Sequence, residues 1–469
     1  MRSCLSLLLC LALATAARGQ NSDKAFGVVG RGLNQHPAFM VRLGVNRKDH
    51  TYVEGENLVV TVESERSGYL YLYYIQVVDG KEQVFLLYPN EFAAGTAIKA
   101  KTEITIPSEK DSWDLKTIAP FGTGRLFALV GNTESLKAAK TLVPKEGPPL
   151  VPTDEVLKIL REAQQRKPQD FAEVFLDLTT LAAGDVGQRE RNNKPRRVAV
   201  CIGISDYADQ TINDLTVSHH DAEVMADLLK KQCKVDEVLL LTNKDATRSA
   251  IEAAIFQDLP AKTKPGDTVF IFYSGHGGRC ADTNGDEADG FDEYLVPQDG
   301  KQGKDDTMIL DDVFGRWIQQ LEGRKVCIVL DNCHSGGSSK GFGDAMGKKA
   351  KGRKGIAAPL VDKQVDKLSR VDFFDGEVKR AKDLGQKDTA IIAACQANQL
   401  AWEMLPPSQE SVLTHYLVQA AGKANGRLEI GAAFRLIEED IKKYVKENIS
   451  AEQTPLLIDN AGGTILLIP

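Results

Sequence analysis

The chain has 469 residues, enough for two or three domains with sizeable cores. Its 42% hydrophobic and 26% charged residues are ordinary for a globular protein. A formal net charge of −7 argues against a general nucleic-acid binder, so no nucleic-acid partner is expected.

The chain opens "MRSCLSLLLCLALATAARGQ", with a positive charge at Arg2, then an apolar stretch, then small residues. That order marks a secretory signal peptide over residues 1–17, cut near Ala16 or Ala17. The apolar run falls short of the roughly 18 residues a membrane span needs. No later stretch could span a bilayer, so no transmembrane segment is expected. The mature protein is expected to be exported, periplasmic or extracellular. Cys4 and Cys10 leave with the leader, and six cysteines over the remaining chain are sparse for a disulfide scaffold. Cys201, Cys327 and Cys395 lie in apolar runs and read as buried thiols.

Residues 35–145 look all-β. "YVEGENLVVTVESERSGYLYLYYIQVV" alternates β-branched, aromatic and polar residues around turns, and "KEQVFLLYPNEF", "EITIPSE" and "GRLFALVGN" continue the pattern. A small β-sandwich is expected, acting as a binding or spacer module whose ligand is unknown. Residues 146–193 read as a connector. "KEGPPLVP" is Pro-rich and extended, and "DEVLKILREAQQ" and "DFAEVFLDLTTLA" carry helical periodicity.

From residue 194 to 469 the pattern is α/β. "RRVAVCIGIS", "VDEVLLLTN", "GDTVFIFYSGHGG", "KVCIVLDNCHSGG" and "DTAIIAACQA" read as strands, separated or followed by amphipathic helices such as "SHHDAEVMADLLKKQC" and "DDVFGRWIQQLEG". Alternating strands and helices predict a mostly parallel sheet covered on both faces, with the active site at the carboxyl ends of its strands.

Two of those strands end in chemistry-bearing residues: "YSGHGG" with His276 and "DNCHSGG" with Cys333. Neighbouring parallel strands would bring both to one sheet edge. A thiol nucleophile needs a base within about 3 Å, and His276 can supply it. His334 suits the role less well, because adjacent residues on extended chain point to opposite sides. The N–H groups of Gly277 and Cys333 could hold the oxyanion of a tetrahedral intermediate, and Gly277 and Gly278 let backbone approach a substrate.

"YSGHGG" followed 57 residues later by "DNCHSGG" (333 − 276), within strand–helix alternation, resembles the caspase-like cysteine peptidases, closest to the metacaspases. The resemblance spans about residues 196–469 and includes "AACQANQLAWE". The β-rich half resembles sandwich domains of unknown function found on some bacterial caspase-like proteins. The resemblance implies a dyad, with Cys333 as nucleophile and His276 as general base and then acid. It also implies cleavage of protein or peptide substrates after Arg or Lys, with Asp221 and Asp331 in the pocket for that side chain. A buried cation does need carboxylates in place of its water. The rival expectation is a catalytically silent caspase-fold binding or scaffold protein.

"DTNGDEADGFDE" carries six acids in residues 282–293 but departs from the EF-hand loop, with Glu287 where the turn needs Gly. The family resemblance instead implies calcium held by Asp292, Asp311 and Asp312, while Asp311 and Asp312 could equally well cap the following helix. A zinc site built on His276, Cys280, Cys333 and His334 lacks C-x-x-C spacing, and none is expected. Residues 337–387 include "GKKAKGRKG", a surface loop rich in Gly, Lys and Arg. It offers the residues an acidic pocket would accept, so self-cleavage there is expected.

Overall fold

The computed structural model describes residues 3–6, 34, 37, 39–78, 81–90, 92–93, 95–132, 150–151, 170–185, 194–281, 291–332, 388–396 and 399–469. The chain divides into two compact units, Met1–Lys194 and Pro195–Pro469. The candidate helix "DEVLKILREAQQ", Cys333, His334 and the basic loop lie outside the described residues. Among the described residues no helix is long and apolar enough to cross a membrane.

The first unit is all-β. Its largest sheet runs, in order, Leu150–Val151, Lys81–Tyr88, Gly68–Val78, Gly122–Gly131, Phe171–Leu181 and Thr51–Val53, with Ala97–Ile98 paired to Gly68–Val78. A three-stranded sheet of Val41–Val45, Val60–Ser64 and Ile104–Ile106 contributes Val41, Leu43, Val60 and Val62 to the shared core. Ser3–Ser6, within the expected leader, pairs in parallel with Trp113–Lys116.

One stretch departs from the helical periodicity read in the sequence: Phe171–Leu181 is a strand, paired residue for residue with Gly122–Gly131. Both faces of this strand are buried, so apolar residues occupy odd and even positions alike and period two is blurred. On one face Tyr73, Phe127 and Phe175 stack across three strands, with centroids 5.9 and 5.2 Å apart. Each such burial is worth about 1.5–3 kcal/mol. Arg125 stands directly opposite Asp177 and binds it through Nε (2.7 Å) and Nη2 (3.0 Å). These cross-strand partners override the local helical signal.

The second unit is α/β, as expected. Its elements include β1 (Arg197–Gly203), α1 (Ser218–Lys231), β2 (Glu237–Thr242), β3 (Thr268–Ser274), β4 (Gly277–Ala281), β5 (Phe291–Leu295), β6 (Ile309–Leu310), α2 (Asp311–Gln319), β7 (Lys325–Asp331), β8 (Thr389–Ala393), α3 (Val412–Lys423), α4 (Ile430–Asn448) and β9 (Leu456–Asp459). The main sheet has the order β2-β1-β3-β7-β8-β9, parallel up to β8, with β9 antiparallel. β4, β5 and β6 form a separate antiparallel sheet, which the strand–helix alternation did not announce.

All seven residues of β3 are buried, which is why it reads as an unbroken apolar run. Alternate positions Ala199, Cys201, Phe270, Phe272, Cys327 and Val329 share one core with Met225, Leu229, Leu417 and Ile441 from the helices. The small residues on β1 let α1 approach. A Cβ on Gly203 would lie 2.3 Å from the Ser218 carbonyl oxygen. That close approach brings the start of α1, with Asp221, to the carboxyl edge of the sheet.

Candidate active site

The register of the sheet aligns the two suspect segments. Ser274, the last residue of β3, pairs with Asp331, the last residue of β7. His276 and Cys333 each follow two residues after that pair. Adjacent strands therefore deliver both segments to one edge, although Cys333 itself lies outside the described residues.

His276 is buried and held at both ends. Its backbone N–H donates to Tyr207 Oη (2.8 Å), and the two rings stack obliquely at 5.0 Å. Its Nε2 lies 2.7 Å from the carbonyl oxygen of Asn213. A carbonyl can only accept, so Nε2 carries the hydrogen and Nδ1 is the basic nitrogen of the neutral ring. The Tyr273 hydroxyl lies 2.8 Å from the His276 carbonyl oxygen and 2.9 Å from that of Val296. A Cβ on Gly275 would come within 2.7 Å of that hydroxyl, so a larger residue there would displace the tyrosine.

The two acids are fully buried and share one partner. Asp221 Oδ1 accepts the Ser411 N–H (2.7 Å), and its Oδ2 accepts the Ser274 hydroxyl (2.7 Å). Asp331 Oδ2 accepts the Ser411 hydroxyl, the Thr414 hydroxyl (2.8 Å) and the Thr414 N–H (3.3 Å). Ser411 thus ties a carboxylate on α1 to one at the end of β7. Two buried carboxylates on one serine concentrate negative charge, a setting suited to a guanidinium or ammonium group.

Sequence reading missed Ser411, Ser274, Thr414, Tyr207 and Asn213. Ser411 carried a signal, since serine before an apolar-periodic run marks a helix start. It does sit at the N-cap of α3, yet its side chain makes no capping bond and serves Asp331 instead. Asn213 acts through its backbone, so its side chain gives no clue.

Gly277 begins β4 opposite Leu295, and the Val296 N–H donates to the His276 carbonyl (3.1 Å). In antiparallel pairing that bond makes Gly277–Leu295 a non-hydrogen-bonded pair, so the Gly277 N–H points away from β5. Gly278 also has a steric role: a Cβ there would lie 2.5 Å from the Tyr294 hydroxyl.

Asp292 lies on β5 opposite Cys280, and Asp311 opens α2. Both are buried, whereas Asp312 is partly exposed. Burial, and then Asp305, Asp292, Asp311 and Glu293, push the Cys280 thiol up. Glu293 is paired with Arg279 at 2.9 Å. Among the described residues no three His, Cys, Asp or Glu side chains form a group that could hold a metal ion.

The remaining described thiols lie in the core. Cys201, Cys233, Cys327 and Cys395 are buried. Burial raises Cys233 to about 11 and Cys327 to about 12, far from a thiolate near neutrality.

This chain belongs to the caspase-domain family, whose model matches residues 196–461. Residues 51–134 match a second family described as "Domain of unknown function (DUF4384)". Among curated proteins the chain is similar to Metacaspase-1A of Neurospora crassa, 31% identical over 157 residues, covering 32% of this chain and 34% of the relative. Metacaspase-2 of Arabidopsis thaliana is 35% identical over 147 residues, 29% of this chain and 34% of the relative. The chain thus spans about a third of the length of these relatives. Among solved structures it is similar to caspase-1 from Spodoptera frugiperda, at 13% identity and a TM-score of 0.36, covering 59% of this chain and 90% of that one.

Proposed function

We propose that the chain is a cysteine endopeptidase that cuts after Arg or Lys, with Cys333 as nucleophile and His276 as its base. Family membership supports the peptidase class. The observation that carries the specificity is Ser411 holding Asp221 and Asp331 together at the sheet edge that bears His276. In the reaction, His276 Nδ1 takes the Cys333 thiol proton and the sulfur attacks the scissile carbonyl carbon. The oxyanion is met by the Gly277 and Cys333 N–H groups. The imidazolium then gives its proton to the leaving amine, and water releases the acyl group by the same route in reverse.

Export, calcium activation and self-cleavage within residues 337–387 are further parts of this reading. The leader-like residues 1–17 support the first, the acids around Cys280 the second, and the Lys- and Arg-rich "GKKAKGRKG" the third. The test is a positional scan of peptide substrates, run with calcium and with a chelator, on the parent and on Cys333→Ala. Cleavage after Arg or Lys by the parent alone is the expected result. Equal cleavage by the Ala variant, or cutting after Asp or Asn, would overturn the proposal.

A further inference from the structure

We propose that Glu403 is a positioning residue for His276, acting through the loop that carries Asn213. The inference rests on the peptidase reading of the site and adds a residue to it.

The Glu403 side chain reaches into that loop. Its Oε1 accepts the N–H of Thr216 at 2.9 Å and that of Val217 at 3.2 Å. Val217 is the N-cap of α1, and its own side chain makes no capping bond. A carboxylate from a distant segment therefore fixes this helix entrance, where negative charge is also favoured by the helix dipole. The loop runs from Ser205 to Val217 and is closed at its base by the Leu215 N–H donating to the Ser205 carbonyl (2.9 Å). Between these ends lie both groups that hold the imidazole: Tyr207, which accepts the His276 N–H, and Asn213, whose carbonyl meets Nε2. Asn213 is three residues from Thr216, so releasing Thr216 and Val217 frees the near end of its backbone.

The segment that presents Glu403 is itself anchored. It folds back as a hairpin, with the Val412 N–H donating to the Trp402 carbonyl (2.9 Å) and the Met404 N–H to the Glu410 carbonyl (2.9 Å). The Trp402 N–H donates to Gln453 Oε1 (3.1 Å), and the buried Gln453 in turn donates to the Ala394 carbonyl just past β8 (3.0 Å). The Leu405 N–H donates to the Tyr444 hydroxyl on α4 (2.8 Å). Glu403 stands opposite Ser411 in this hairpin. By its side chain it holds the loop that orients the base, and by its backbone it faces the serine that holds both pocket acids.

The test compares Glu403→Ala, Glu403→Gln and Glu403→Asp with the parent. Two readouts are used: kcat and KM on an Arg-containing peptide, and the titration of His276 followed by imidazole nitrogen NMR on histidine-labelled protein, assigned with His276→Ala. Loss of the carboxylate loosens the Asn213 carbonyl that stabilises the imidazolium. Glu403→Ala should lower kcat by ~10–100-fold, the scale of a misplaced catalytic group. KM should change little, because Ser411 still holds Asp221 and Asp331. The His276 titration should move to lower pH. Glu403→Gln keeps the Oε1 acceptor and should restore most of kcat. Should the Ala variant not fold, Glu403→Asp keeps the charge but withdraws the oxygens by one methylene, and should show the same fall in kcat and the same titration shift.

An unmoved His276 titration in Glu403→Ala or Glu403→Asp would overturn the proposal. So would a rise in KM with kcat intact. If the parent cuts no peptide while the titration still shifts, the positioning role stands and the peptidase reading falls.

Discussion

Asp331→Asn separates a specificity pocket from a structural knot. Three donors to Asp331 converge on Oδ2. Asparagine keeps an oxygen in that place and the same shape, so Ser411 and Thr414 retain their acceptor and the fold should survive. The change removes one of the two negative charges on Ser411. Opposite unit charges ~4 Å apart attract by about 4 kcal/mol at an effective dielectric constant near 20. Truncating one partner of a buried charge pair typically costs about 2–5 kcal/mol. Taking about 3 kcal/mol, and a tenfold change per ~1.4 kcal/mol, kcat/KM on an Arg peptide should fall by about two orders of magnitude. The control is the same peptide with citrulline, an uncharged isostere of arginine, at the cut position. The parent should strongly prefer Arg, and Asp331→Asn should erase most of that preference by losing Arg cleavage with citrulline little changed. A folded Asp331→Asn protein that keeps the parent's Arg-to-citrulline ratio would refute the pocket assignment and leave Asp331 as an anchor for α3.

Cys333→Ala should abolish peptide cleavage, and His276→Ala should lower kcat by about 10²–10⁴, the usual worth of a general base; active-site titration and initial rates check both. Gly278→Ala forces a methyl to within 2.5 Å of the Tyr294 hydroxyl. It should cost about 1–3 kcal/mol of overpacking, read as a lowered thermal midpoint. Alkaline pH should weaken the fold through its buried thiols. Burial holds Cys233 and Cys327 above the ordinary thiol range, at about 11 and about 12. The unfolded chain therefore releases these protons first, and their contribution, full below about pH 9, is lost as pH rises toward those higher values. Urea midpoints should fall between about pH 9 and 11, less steeply in Cys233→Ala than in the parent.

What could be read in the sequence follows from how each residue acts. The central strands were legible because a parallel sheet buried on both faces needs unbroken apolar runs, and β3 meets that need at all seven positions. His276 and Cys333 stand out in the sequence because each places a reactive group just past the end of such a run. Phe171–Leu181 misled for the same reason that β3 did not: burial on both faces erases alternation, and at eleven residues it is as long as a helix. Partners some fifty residues earlier, Phe127 and Arg125 among them, identify it as a strand, by standing opposite Phe175 and Asp177.

The supporting residues of the site were hidden by a different mechanism. Asn213 offers a carbonyl that any residue would offer, so its identity says nothing about its role. Ser411 looked like a helix start and is one, but its hydroxyl bypasses the α3 backbone for Asp331. Glu403 does the reverse, capping α1 from a segment 186 residues away, where no local pattern could reveal it. The two exchanges are connected. The entrance of α1 gives up a local cap and gains a tie to the hairpin of Ser411, and the entrance of α3 gives up its own cap and gains a tie to β7. Each local bond forgone becomes a long-range bond at the sheet edge, which holds His276, Asp221 and Asp331 in one frame.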